Sequence, residues 1–180
     1  IIVGKIFFRS NCQPHDLLAL KTVERLFVMV SHCKQFLCKT SSKVAFCKLR
    51  SLFEKDIQWN LCLKQWMMFK IFINSDALSS DSKQSRNHYD GKVNEVDTEP
   101  PQKKMYLADT HSISFRVSCK STGVIRKFFS PYKLSQFIGC SLTKICNWKT
   151  DLRNPQLEVY VHASEDYFTI GFPILSRPLS

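Results

Sequence analysis

Seven basic side chains, Arg116, Lys120, Arg126, Lys127, Lys133, Lys149 and Arg153, recur through a stretch that also holds Phe115, Phe128, Phe129 and Trp148. Lysine and arginine placed in this way can neutralise phosphates, which sets affinity and orientation more than sequence choice. Aromatic neighbours such as Phe128-Phe129 can stack a base. A solvated polar face is the competing reading for any one of the seven. As a set they read as candidate polyanion contacts. For the two phenylalanines, packing beside a helix start competes with stacking and is the preferred reading.

Nucleophilic and metal chemistry find no such support. His15, His32, His88, His111 and His162 are dispersed. None has a companion at a spacing that defines a catalytic unit. His162 alternates with Leu157, Val159 and Val161 and is expected on the solvent side of a strand with Glu158 and Tyr160. The eight cysteines include no Cys-x-x-Cys, and Cys33 and Cys38 have no matching second pair. Structural zinc needs paired ligands at short spacing, so buried reduced thiols are expected, notably Cys62 and Cys119. No catalytic residue and no metal ligand is assigned.

The elements that must carry the basic set are legible in the pattern. Phe115, Val117 and Cys119 alternate with Arg116, Ser118 and Lys120, predicting a strand with its first set buried. Ser121-Thr122-Gly123 breaks it. Ser130-Pro131 predicts a helix start, since serine accepts from free amides and proline needs no donor at the first helical position. Leu134, Ile138, Leu142 and Ile145 then form one apolar stripe. Gly139 inside that helix suggests close packing against another backbone. Asp151-Leu152-Arg153-Asn154-Pro155 reads as a turn. Leu157, Val159 and Val161, then Phe168, Ile170, Phe172 and Ile174, read as two strands joined at Glu165-Asp166.

Upstream, residues 1–8 and 25–30 are β-type runs, with a short helix opening at Gln13-Pro14-His15-Asp16. Residues 42–54 predict a helix burying Phe46, Leu49 and Phe53. Residues 59–73 predict another, with Cys62, Trp66, Phe69 and Ile73 aligned and Met67 and Ile71 widening its apolar surface. Helices covering one face of a small mixed sheet, an α+β fold, fit this order.

The formal net charge is +11. It divides as +8 over residues 1–73, −1 over 74–104 and +4 over 105–180. The surplus favours a polyanion such as nucleic acid. The middle stretch is rich in Ser, Asp, Asn and Lys, holds Pro100-Pro101, and is read as a disordered insertion at about 74–110. No stretch approaches ~20 uninterrupted apolar residues, and Lys70 interrupts the run from Trp66 to Ile73. An intracellular chain, in the nucleus or the cytoplasm and without a membrane partner, is expected.

Phe115-Arg116-Val117-Ser118-Cys119, Trp148-Lys149-Thr150-Asp151-Leu152-Arg153-Asn154-Pro155 and Gly171-Phe172-Pro173-Ile174 together resemble the THUMP domain-containing RNA guanosine-N2 methyltransferases of animals, with the nearest likeness to the member linked to small nuclear RNA. The resemblance implies a THUMP domain over 40–176, a partial ferredoxin-like domain over 1–39, and the start of a linker to a catalytic domain at 177–180. It implies RNA as partner, small nuclear RNA or tRNA, recognised through a helical stem with a single-stranded 3′ end. The family's cofactor, S-adenosylmethionine, is implied for a methyltransferase domain that this chain departs from. Such a domain needs a glycine-rich turn and an Asn/Asp-Pro-Pro-aromatic motif. Asn154-Pro155-Gln156 is not that motif, and the five glycines are scattered. A fragment or short form without methyl-transfer activity of its own is therefore expected, one that does not bind the family's zinc-binding activator subunit. A THUMP module of another RNA-modifying enzyme and a protein-interaction scaffold are the rival readings.

Overall fold

Three strands follow directly from period-two alternation. β2 (Ser114–Ser121), β4 (Leu157–Ala163) and β5 (Tyr167–Pro173) occupy the predicted runs. Phe115, Leu157, Val159, Val161, Phe168, Ile170 and Phe172 are all fully buried on one face. The protein is described here from a computed structural model at residues 5–20, 22–34, 41–80 and 113–175. The expected extent of the polar insertion beyond residue 80, and the expected linker at 177–180, lie outside the described residues.

The five strands are ordered β1-β5-β4-β2-β3, with β1 at Phe27–Lys34 and β3 at Lys149–Thr150. β5 pairs antiparallel with β1 and with β4, whereas β2 pairs parallel with β4 and β3. Parallel neighbours need a crossover longer than a hairpin. Helix α5 (Pro131–Cys146) supplies it, following the short α4 (Ile125–Phe128). The expected α+β class, with helices on one face of a small mixed sheet, is the one observed.

α5 starts as the sequence predicts. Ser130 Oγ accepts from the Lys133 amide at 3.3 Å, and Pro131 takes the first helical position. Leu134, Ile138 and Leu142 are fully buried, but Ile145 is 39% exposed and leaves the predicted stripe. Three steps beyond Leu142, the side chain has already rotated past the sheet, and Cys146 packs there instead. Gly139 also departs from expectation: an added Cβ would meet nothing within 4 Å. Asn147 closes the helix in the left-handed conformation, φ 57°.

On the same side of the sheet lie α2 (Ser42–Ser51), a π-helical turn at Leu52–Asp56, and α3 (Trp59–Ser80). Phe46 meets Phe129 edge-on at 5.0 Å and Phe137 at 4.9 Å. Phe129 is thus a core residue rather than a stacking platform. Trp59 donates to the Phe53 carbonyl at 3.0 Å and stands edge-on to Trp148 at 6.1 Å. α3 runs on to Ser80, which corrects the expected start of the insertion at 74. No glycine or proline interrupts 74–80, and a formed helix adds residues at little cost.

The N-terminal part holds α1 (Pro14–Leu18) and β1. β1 falls within the stretch expected to form a separate piece, yet it hydrogen-bonds along the whole of β5, and Val28 enters the common core. A bulge between Met29 and Ser31 adds one residue to β1. That extra residue lets both Val28 and Cys33 stand opposite core-facing partners, Phe172 and Phe168. The expected strand over 1–8 is corrected at its described end: Lys5 makes a single bridge and 6–8 form no strand. Ile6 and Phe8 stay exposed, so no sheet face rewards the alternation.

Candidate nucleic-acid interface

Helices cover one face of the sheet, and the other face is polar. Its residues follow from register. One rung crosses from Arg116 to Glu158, a second through Ser118, Tyr160, Gly171 and Met29, and a third through Lys120, His162, Thr169 and His32. Phe27 packs its ring 5.2 Å from Tyr160.

The seven predicted basic residues are divided between the two ends of β2, about 23 Å apart at strand rise. Arg116, Lys149 and Arg153 lie at its beginning, where β3 pairs with Ser114 and Phe115. Lys120, Arg126, Lys127 and Lys133 lie at its far end, on the last turn of the strand, α4 and the first turn of α5. They do not converge on a single point.

The first end is shaped by the 151–155 turn. Asp151 Oδ1 accepts from the amides of Arg153 at 2.9 Å and Asn154 at 3.0 Å. Those two bonds, Asn154 first, hold its carboxyl below the usual range, with Lys149 adding to the effect. A cleft of about 290 Å³ opens beside the turn, lined in part by Trp66, Lys70, Arg116, Arg153 and Pro173. Trp66 donates its indole N–H to the Pro173 carbonyl at 2.8 Å and carries Lys70 Nζ 5.4 Å from its ring centre. Burial lowers the Lys70 pKa. Arg116 is partly neutralised by Glu158 at 3.5 Å, and Glu158 also accepts from Ser118 Oγ. Sequence reading missed Lys70, although its lone charge in the apolar run of α3 was a usable signal.

The far end overturns one expectation. His162 is buried, 6% exposed, not a solvent-facing side chain. Lys5 Nζ donates to its Nδ1, the Tyr167 hydroxyl lies 3.3 Å from the same nitrogen, and Thr122 Oγ1 lies 3.2 Å from Nε2. With Nδ1 accepting, the ring proton sits on Nε2 and is donated to Thr122. Burial first, then Lys5 and Lys120, push the imidazole pKa down to about 4. Alternation placed this residue on the correct face. The N-terminal segment that covers it is remote in sequence and was not predictable.

Cys62, Cys119 and Cys146 are partly buried free thiols, and burial pushes Cys119 and Cys146 up to about 12. Among the described residues there is no cluster suited to a metal ion, and no helix is long and apolar enough to cross a membrane. Among the described residues, Gly123, Gly139 and Gly171 sit apart in a turn, a helix and a strand.

No family model matches the chain. The structure aligns with that of TrmN from Thermus thermophilus with a TM-score of 0.51 and 15% identity, covering 96% of this chain and 36% of that one. At this identity the likeness speaks for the fold alone. In sequence, the chain is 40% identical over 72 residues to the U6 snRNA (guanine-N(2))-methyltransferase THUMPD2 of Mus musculus, covering 40% of this chain and 14% of the relative. The Bos taurus protein of the same name is 28% identical over 228 aligned positions, covering 99% of this chain and 45% of the relative. The chain therefore spans less than half the length of these curated relatives. The resemblance read from the sequence holds: the chain is similar to THUMP domain-containing RNA methyltransferases. Within that class, the relatives it matches are the proteins named THUMPD2.

Proposed function

We propose that this chain is an RNA-binding module. It holds an RNA with a helical stem and a single-stranded 3′ end for guanosine-N2 methylation by a catalytic domain that these residues do not contain. The observation that carries the reading is the sequence likeness to relatives named as U6 small nuclear RNA guanine-N2 methyltransferases. The basic groups at the two ends of β2 supply contacts suited to a phosphate backbone, and among the described residues no helix covers the polar sheet face between them.

Binding measured against salt tests this. Each phosphate contact contributes about 0.7–0.9 to the slope of log affinity against log salt. For a short hairpin with a single-stranded 3′ end, the parent chain is expected to bind with a steep slope. Arg126→Ala with Lys127→Ala is expected to flatten it by up to about 1.4–1.8 with the fold intact by circular dichroism. A parent chain that fails to bind at low salt would remove the RNA reading. An unchanged slope in the double variant would remove only that pair.

The same reading assigns methyl transfer to the absent domain, with S-adenosylmethionine bound there. Incubation of the purified chain with labelled cofactor and total RNA is expected to give background incorporation only. Signal above background would place catalytic groups in this chain and overturn the division of labour.

A further inference from the structure

Three lysines from three different elements gather on the open sheet face around Tyr167. Lys34 ends β1 opposite Tyr167 in register, and Lys120 lies on β2 opposite His162. Lys5, from the N-terminal segment, reaches over the face so that its Nζ stands 5.1 Å from the Tyr167 ring centre and 3.3 Å from its hydroxyl. The floor between them is made of hydrogen-bonding groups: the Tyr167 hydroxyl, His162, and His32, whose Nδ1 lies 3.1 Å from Thr169 Oγ1.

Among the described residues, no carboxylate lies within ion-pair distance of Lys5, Lys34 or Lys120. The acidic group nearest in sequence is Asp166, at the hairpin turn beside Tyr167. Elsewhere on the same face Arg116 does have its carboxylate, Glu158. Lys5 is disfavoured as a cation here, by burial and then by Lys120, and His32 is disfavoured by burial and then by Lys34. A site that repels its own charges is one that a bound anion would stabilise.

We infer that Lys5, Lys34 and Lys120, over the Tyr167–His162 floor, form a seat for a phosphate group. The inference rests on the RNA reading for its source, a backbone phosphodiester, and adds the N-terminal segment and β1 to the interface. Of the three lysines, only Lys120 was among the basic residues singled out from the sequence. A free phosphate monoester has the same chemistry and is the alternative source.

The test compares the parent chain with Lys5→Gln/Lys120→Gln and with Lys34→Gln/Lys120→Gln. The second variant leaves the N-terminal contact in place should the first disturb folding. Two probes are used: the hairpin RNA with a single-stranded 3′ end, and inorganic phosphate. The expected result is a salt slope for RNA reduced by about 0.7–0.9 per lysine removed, with the His162 ring proton resonance moving on RNA addition in the parent and not in the variants. Phosphate-induced movement of that resonance, lost in both variants and without any change in RNA slope, would support the seat and assign it to a phosphate monoester. RNA binding with an unchanged slope in both variants, and no response of His162 to either probe, would overturn the seat and leave the RNA reading standing. A parent chain that binds neither RNA nor phosphate would overturn both.

Discussion

His162 is where register and environment part company. Its face could be read from Val159 and Val161, but its burial depends on Lys5, which is 157 residues away. The imidazole stays neutral, with a pKa of about 4 against an ordinary 6.5. The unfolded chain therefore binds a proton between those values that the folded chain refuses. Stability is fully present above about pH 6.5 and falls as the pH drops toward 4, by on the order of 1–2 kcal/mol after allowance for solvent screening of the lysines. Urea denaturation between pH 4 and 7 checks this. His162→Gln is expected to flatten that part of the profile, and an unchanged slope in the variant would assign the pH dependence to other groups. Asp151 is the contrasting residue. Its role was readable, because proline after Asn154 and an aspartate three residues before Asn154 specify a local turn with no distant partner.

Elements were legible where their signals are local. Ser130-Pro131 and the run from Leu134 to Leu142 gave α5 its start and buried stripe, and the hairpin at Glu165-Asp166 formed as patterned. The bulge in β1, the π-helical turn after Ser51 and the two-residue β3 were not legible, because each answers to a neighbour rather than to its own sequence. Gly139 shows the same limit. Its presence suggested close packing, yet the space beside it is open. Gly139→Ala is therefore expected to stabilise the protein by about 0.5–1 kcal/mol through helix propensity, read as a raised midpoint in thermal or urea unfolding. A loss of stability would mean that something unseen crowds that position. Asn147 sits at φ 57°, so Asn147→Gly is expected to be near neutral. Asn147→Val is expected to cost about 1–2 kcal/mol for forcing a β-branched residue into the left-handed region. Equal midpoints for the two variants would argue that the cap relaxes.

At the scale of the molecule, the sheet does not respect the boundary expected near residue 39. β1 completes it, and Gly171 on β5 leaves room for the approach: an added Cβ there would meet Phe27 Cβ at 3.2 Å and the Val28 carbonyl at 3.3 Å. A chain begun at residue 40 is expected to expose the β5 edge with its unpaired amides and carbonyls, and to self-associate on size-exclusion chromatography. A well-behaved monomer would show that β1 is dispensable. The same pairing has a consequence in time. His32 and Thr169, partners across β1 and β5, are 137 residues apart. A ribosome adding about 5–20 residues per second needs about 7–27 seconds to cover that distance. Throughout that interval β1, with Val28 and its open hydrogen-bonding edge, exists without the strand it is built to join. The nascent chain thus carries an adhesive strand until β5 has been made, which makes chaperone cover during translation part of how this fold is reached.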